Sequence, residues 1–516
     1  MLSIKKRIII FIILAIIIIL AIFFINKKKE SVSLPASGGK YREGIISQPE
    51  FNNPLLQDSG SDLAISQLVF SRLIKKGYNL EPNLDLVVKY KINPDATYTF
   101  YLYQNALWHD GKPVTVDDVI FTIDLAKKIK NNSSFNSLDV SKIDNYTFKI
   151  SYPGNSDKLF SLLDIPILPK HIWENIPEND LNNLNLNIKP IGSGPFIFEN
   201  IEFDKNKEKV KNYTLRKNDI FYRKPPYLEK IIFTFYPDIE SAMKGLKQQE
   251  IQGLGFLFKG IDIPPEISYN HQIYKLETPQ YVAAFFNLNN EKLTKSIRQS
   301  LNSLVDKKNL PPVLKGMGFP ISGPLLNNYL NEPLDSFSNE PPPSNGLSKT
   351  SLELTLTIGE EPVFQEIATF LKRCWENEGI KVNIEIEGPE KIAAITRNGD
   401  FEILLYGVLA GLPSQQYAFW HSNFKEDRIN LTGFSNRRVD ELLELASLAN
   451  EQDKKYEYLK EAESLIVKEY PAIFLYSPYY IYILRDNIKG VEINKTLLTP
   501  EERFDNIENW YIKTKF

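Results

Sequence analysis

The sequence predicts an α/β chain with mixed sheets, divided into several domains. Its 516 residues are far too many for one simple core and imply two to four domains. Strand-like stretches with alternating apolar residues and helix-like stretches with 3.6-residue spacing alternate irregularly, without an internal repeat. Composition is that of a globular protein, 43% hydrophobic and 24% charged. Aromatic content is high at 12%, with 26 Tyr and 31 Phe, and suits sheet-rich cores or a stacking cleft for a ligand.

The first element is Ile8 to Ile25, an unbroken run of 18 apolar residues. As a helix it spans about 27 Å, enough for a hydrocarbon core. Lys5, Lys6 and Arg7 precede it and Lys27, Lys28 and Lys29 follow. A cleaved signal peptide competes with this reading, but its apolar core is normally shorter and no Ala-x-Ala site follows directly. The expectation is an uncleaved signal anchor over 8–25, a cytoplasmic tail over 1–7 and a stalk over 26–37. The large domain then lies outside the cell membrane, held by a single pass. Net charge is −3 overall, but residues 30–516 carry 55 basic against 64 acidic residues, which argues against a nucleic-acid partner. With Cys374 alone no internal disulfide forms, and its helical spacing with Phe364, Ile367 and Leu371 predicts a buried, inert thiol.

Beyond the stalk, Gly44–Leu55 reads as a strand running into a Pro49/Pro54 turn, and Ser61–Leu73 as an amphipathic helix. Tyr98, Phe100 and Leu102 alternate as in a half-buried strand, and Asp110-Gly111 is turn chemistry. Thr115, with Asp117 and Asp118 behind it, starts a helix. His109 and Asp110 resemble a catalytic pair only superficially, because nothing nucleophilic adjoins them; turn-forming and loop-pinning roles are expected. Pro190–Phe198, PIGSGPFIF, lacks the Lys-Ser/Thr of a phosphate loop and reads as a tight turn between lobes. A Pro-Pro turn at 225–226 feeds the strand Ile231–Phe235, then a helix around Ile239–Lys247. The strand Phe285–Leu288 leads to a helix with Leu293, Ile297, Leu301 and Leu304 on one face. Residues 331–350, with Pro341–Pro343, read as an exposed loop. A helix stopped by Gly379, the strand Ile380–Glu387, the strand DFEILLYG over 400–407, a helix capped by Asn436 and the strand Tyr470–Tyr476 complete the chain.

Six of these blocks, in this order, resemble the extracytoplasmic solute-binding proteins of peptide- and nickel-type ABC importers. They are the Tyr-Thr-Phe strand with its Trp-His-Asp-Gly turn, PIGSGPF, the 218–252 block, Phe-Asn-Leu-Asn with its Arg-Gln helix, GFSNRRVDELLELA over 433–446, and YPAIFLY. The resemblance implies a two-lobed periplasmic-binding-protein-like fold, α/β, of the class with an extra subdomain, with a hinge cleft. Lobe I would cover 38–277, including the subdomain at about 62–185, with a return at 485–516. Lobe II would cover 278–484. Hinge candidates are Thr278–Tyr281 and Tyr480–Arg485. Implied partners are a peptide or other small solute and an ABC permease, the protein acting as a monomer. No catalytic residue, cofactor or metal is implied; His109, His171, His271 and His421 have no metal-ligand spacing.

Peptide-binding members of that family carry an Asp for the ligand ammonium shortly after the DFEILLYG-type strand. Here Gly411 falls at or near that place, which argues against a free peptide N-terminus as ligand. An N-blocked or longer peptide, an oligosaccharide or another amphiphile remains. Candidate cleft residues are Tyr281, Asn287, Tyr406, Gly411, Gln415, Gln416, Tyr417, Trp420 and His421. Packing of the lobe is the competing role for Tyr417 and Trp420. A tethered receptor or scaffold without import is the alternative function. An enzyme ranks third, because no Gly-x-Ser-x-Gly, His-Glu-x-x-His or Walker loop occurs.

Overall fold

The computed structural model describes residues 34–515 apart from 58–59, 77–81, 130–132, 155, 183, 258–261, 317, 326–351, 410–412, 423–429 and 450. The expected anchor over 8–25, most of the stalk, the loop over 331–350 and Gly411 lie outside the described residues. Among the described residues, no helix is long and apolar enough to cross a membrane.

The predicted mixed sheet is present. Among the described residues it has 12 strands. Ten of them run in the order Lys381–Glu387, Glu353–Gly359, Ile403–Leu409, Gln280–Phe286, Ala472–Arg485, Gly253–Leu257, Lys40–Ile46, Lys230–Tyr236, Val210–Lys217 and Phe196–Phe203, and His271–Glu277 and Gly318–Pro320 each pair with Ala472–Arg485 off that path. Parallel pairs occur on both sides of the centre, Glu353–Gly359 with Lys381–Glu387 and Lys40–Ile46 with Lys230–Tyr236. A separate four-stranded antiparallel sheet comprises Val87–Ile92, Tyr98–Leu102, Thr147–Ser151 and Asp139–Lys142, where the extra subdomain was expected.

The helices follow the predicted patterns closely. Asn436 accepts the Arg438 and Val439 N–H groups, and Val439, Leu442, Leu443 and Ala446 face the core. The Ser61–Leu73 helix is shorter than expected, Gly60–Val69. Cys374 is half-buried rather than buried, and burial still raises its thiol above the ordinary range.

Glycines decide one junction. A Cβ on Gly192 would lie 1.9 Å from the Val69 carbonyl oxygen, and one on Gly194 2.5 Å from that of Leu68. The Pro190–Phe198 turn therefore seats directly on the end of the helix Gly60–Val69. The close approach places the turn against the end of that helix and against His109. His109 pins the same turn, with Nδ1 accepting from Gly192 N–H at 3.2 Å and Nε2 facing the Gly194 carbonyl at 3.1 Å. Both ring nitrogens are thus used by the neutral tautomer, and Asp110 instead meets His171 at 2.7 Å. The loop-pinning role is what the structure displays.

The C-terminal segment closes the first half of the molecule. Lys513–Lys515 pairs with Leu34–Ala36, so the two described ends of the chain meet. Arg503 donates from Nε and Nη2 to Glu43 Oε1 at 3.1 and 3.0 Å. Glu43 Oε2 takes the hydroxyls of Tyr41 and Tyr482. Glu43 is fully buried and Arg503 is 4% exposed.

Two predictions follow from these contacts. Replacing Arg503 with Met should destabilise the fold by about 3–5 kcal/mol, because it leaves Glu43 charged and unpaired; urea unfolding measures it. Burial lowers the His109 pKa to about 4, so its contribution is complete above the unfolded value near 6.5 and is lost as pH falls towards 4. The expected loss at acid pH is about 3 kcal/mol. Proton NMR should show the His109 ring still neutral at about pH 5.

Candidate functional site

The strand Ala472–Arg485 is shared by both halves of the large sheet. Its first part pairs with Gln280–Phe286, Val282 lying opposite Tyr476, and with Gly318–Pro320. Its last part pairs with Gly253–Leu257 and His271–Glu277, Tyr480 lying opposite Leu257 and Leu276. Partners change between Pro478, opposite Gly318, and Tyr479, opposite Glu277. Residues Tyr480–Arg485, a hinge candidate, pair on one side with Gly253–Leu257 and on the other with His271–Glu277. The ladder changes partners at Ser477–Tyr479, the crossing between the two halves of the sheet.

Both crossings carry a proline, Pro279 in the first and Pro478 in the second. Proline has no backbone N–H, so the ladder lacks donors where the halves join. A side chain substitutes: the buried Ser477 hydroxyl donates to the Gln280 carbonyl at 2.8 Å. Glu277, just before the first crossing, holds Lys495 Nζ at 2.7 Å and exchanges backbone bonds with the 495–497 segment. Around this seam stand half-buried Leu257, Gln280, Phe319 and Tyr479, with exposed Leu409 opposite Gln280. Phe319 and Tyr479 rings lie 5.4 Å apart. An apolar, aromatic rim with backbone groups at strand ends can hold an extended solute by stacking and main-chain hydrogen bonds.

The candidate residues divide by burial. Tyr281 lies in the strand Gln280–Phe286 opposite Val408, fully buried, with its ring 5.8 Å from that of Phe474. Trp420 is fully buried between Phe419, Phe434 and Phe474. Gln416 is 2% exposed and donates to the Pro324 carbonyl at 2.9 Å. His421 is buried, stacks on Tyr417 at 4.5 Å and meets Glu444 at 3.3 Å. Tyr281 and Trp420 belong to one hydrophobic core with Phe419, Phe434 and Phe474. Tyr406, Gln415 and Tyr417 stay half-buried. Asn287 stands apart, at the far end of its strand from the seam. Its amide donates to the Gly399 and Phe401 carbonyls, each at 3.0 Å. Among the described residues no three His, Cys, Asp or Glu side chains group to hold a metal ion.

Sequence reasoning missed the crossing prolines and Glu463. Glu463 had a visible signal, since it shares the buried face of Gln452–Lys468 with Leu459, Ala462 and Ile466. The prolines had none, because only strand pairing reveals what they interrupt.

Comparison with known proteins gives this geometry its class. Over 92% of this chain and 99% of the other, it superposes on the ABC transporter substrate-binding protein CtaP from Listeria monocytogenes with a TM-score of 0.79 at 21% identity. The oligopeptide-binding protein AppA from Bacillus subtilis in complex with a nonapeptide matches with a TM-score of 0.71 at 24% identity, covering 93% of this chain and 100% of that one. The fold is thus that of two-lobed α/β binding proteins. In sequence, the curated AppA of Bacillus subtilis (strain 168) is 27% identical over 527 residues, 94% of this chain and 93% of AppA. The family model described as bacterial extracellular solute-binding proteins, family 5 Middle, matches residues 81–430. The chain belongs to that family, and is accordingly a solute-binding protein of the ABC-importer type and not an enzyme.

Replacing Ser477 with Ala should cost about 1–2 kcal/mol, because it removes a buried bond at a ladder gap. Thermal unfolding of the variant against wild type measures this.

Proposed function

We propose that this protein captures an extended, peptide-like or oligomeric solute between its lobes and delivers it to an ABC permease while tethered by residues 8–25. The observation that carries this reading is the pair of proline-bearing crossings, Thr278–Gln280 and Ser477–Tyr479, with half-exposed aromatic and apolar residues beside them. Few ladder bonds resist rotation there, so contacts made to a solute by both lobes bias the closed form. The lobes comprise 38–277 with the C-terminal return, and the segment between the crossings; the protein works as a monomer. Supporting the solute class are the names of its relatives, an oligopeptide-binding protein and, at 21% identity over 509 residues, the dipeptide-binding protein of Escherichia coli (strain K12).

Gly411 narrows the class. Without an acid there, no carboxylate from that position pairs with a peptide ammonium, so the solute is N-blocked, longer than the cleft, or uncharged at that end. Tyr406, Gln415 and Tyr417, which keep exposed surface, are the preferred contacts of the nine candidates. Full burial assigns Tyr281 and Trp420 a supporting role.

Native mass spectrometry of the protein purified from its own cells tests the reading. A co-purified solute released by mild unfolding is the expected result. An empty protein with no thermal shift from peptide or oligosaccharide pools would favour the tethered receptor instead. A second prediction concerns selectivity. Gly411→Asp should raise affinity for free-amine peptides over their N-acetylated forms by about tenfold or more. Unchanged calorimetric affinities would show that Gly411 does not occupy the ammonium position.

A further inference from the structure

A polar cavity lies away from the seam, where three remote parts of the chain meet. These are the segment after the helix Gly60–Val69, the turn at Arg223 and the C-terminal turns Pro500–Phe504 and Ile507–Asn509. Five charged side chains line it: Lys75, Asp85, Arg223, Asp505 and Glu508. Its volume of about 10 Å³ has room for about one water and for nothing larger. Two of the carboxylates are held by direct hydrogen bonds. Asp505 Oδ1 accepts from Gln67 Nε2 at 2.7 Å and from Lys75 Nζ at 3.1 Å. Asp85 accepts the Tyr222 hydroxyl at 2.6 Å and the Arg72 N–H at 2.9 Å. Arg223 and Glu508 differ. The Arg223 Nη2 stands 3.4 Å from Glu508 Oε1 and 3.7 Å from Asp85 Oδ1. Both are ion-pair distances, longer than the roughly 3.2 Å limit of an ordinary N–H···O bond. Arg223 Nε and Glu508 Oε2 are buried atoms with no hydrogen-bond partner, and Glu508 is only 8% exposed.

A buried orphan donor and a buried orphan acceptor, on two groups already in ionic contact, call for a shared partner. The lining decides what that partner is. Arg223 Nε only donates, and an ionised Glu508 only accepts. The partner must therefore accept one hydrogen bond and donate another. A metal or ammonium ion accepts none, and Lys75 and Arg223 repel both. An anion is opposed by Asp85, Asp505 and Glu508. Water accepts and donates, carries no charge and fits the volume.

We infer that this cavity is a binding site for one ordered water, which accepts from Arg223 Nε and donates to Glu508 Oε2. A third bond, to Asp85 or Asp505, completes the usual coordination of a buried water, about three bonds. The bridge joins the turn at Arg223 to the C-terminal turn that carries Glu508. The main chain makes the same connection directly, because the Tyr227 N–H donates to the Glu508 carbonyl at 3.4 Å. Glu508 thus holds the 223–227 segment twice, once through its backbone and once through water. The Arg223 guanidinium also lies 5.3 Å from the Phe221 ring, which sets its place in the junction. Asp85, on the far side of the guanidinium, comes just before the strand Val87–Ile92, so the site also touches the four-stranded sheet. The site is independent of the hinge and of the solute.

A crystal structure of the full chain, at a resolution that shows ordered water, tests the bridge. Density within about 3.2 Å of both Arg223 Nε and Glu508 Oε2 is expected. Crystals grown in a rubidium salt should show no anomalous signal at that place. Glu508→Leu, close in volume but without an acceptor, should lose the density. Glu508→Gln keeps a carbonyl oxygen there and should retain it. In solution, oxygen-17 relaxation dispersion should count one long-lived water fewer in Glu508→Leu than in wild type, and no change in Glu508→Gln. Wild-type density with Arg223 Nε bonded directly to Glu508, or with no water between them, would overturn the inference. A rubidium peak would do the same, because it would make the site one for a cation. So would an unchanged water count in Glu508→Leu. If that variant does not fold, the wild-type density, the rubidium crystals and Glu508→Gln still decide.

Discussion

Glu43 and Arg503 are separated by most of the chain, yet one ion pair joins them in a fully buried place. Around it close Tyr41 from the first large strand, Tyr482 from the long shared strand and Phe504 from the C-terminal segment, whose ring lies 4.2 Å from the Arg503 guanidinium. The pair fixes three remote pieces of chain against one another. Its geometry uses both carboxylate oxygens and two guanidinium nitrogens, which is what makes a buried charge tolerable. A buried pair of this kind contributes register more than net stability. The long strand serves both halves of the sheet, so fixing its last third to the first strand fixes the base from which the second half departs.

Where that strand leaves the first half, restraint falls away. Pro279 and Pro478 withhold donors at the two crossings, and one serine hydroxyl spans the gap. Rigid sheet on either side with a weak ladder between is the mechanical condition for lobes that move as bodies. On the function proposed above, the aromatic rim beside the crossings is where such motion would bring a solute into contact with both lobes. Binding energy then has a conformational equilibrium to act on, which distinguishes a capture protein from a static receptor surface.

Polar side chains set the loops in between. Asp62 on the helix Gly60–Val69 accepts the Glu50, Phe51 and Asn52 N–H groups and shapes the connection after the first strand. His109 ties the Trp108–Gly111 turn to the Gly192–Gly194 turn. Asp85, just before the strand Val87–Ile92, accepts from the Tyr222 hydroxyl and the Arg72 N–H, tying together three segments remote in sequence. Each group spends its hydrogen bonds on backbone or on a fixed partner, so the loops are held without covalent cross-links.

Much of this was legible from sequence. Sequence pattern located a helix around 239–247, one within 433–446 and strands at 98–102 and 400–407, and the structure has them at Ile239–Lys247, Arg437–Leu448, Tyr98–Leu102 and Ile403–Leu409, because a local pattern decides which face is apolar. Six ordered motifs carried the family, since turns with Gly, Pro and caps constrain the backbone locally. The candidate site was legible only in part. Trp420 and Tyr281 look identical in sequence whether they line a cleft or pack a core; their burial depends on where Phe474 and Phe434 arrive in space. Glu463 lies as a charge on the apolar face of the helix Gln452–Lys468, but Leu325, whose N–H it accepts, comes from elsewhere in the chain. The sequence by itself determined the local elements and the family. Tertiary structure alone decided where the ladder changes partners and which polar groups are buried together, because both depend on pairings between residues far apart in the chain.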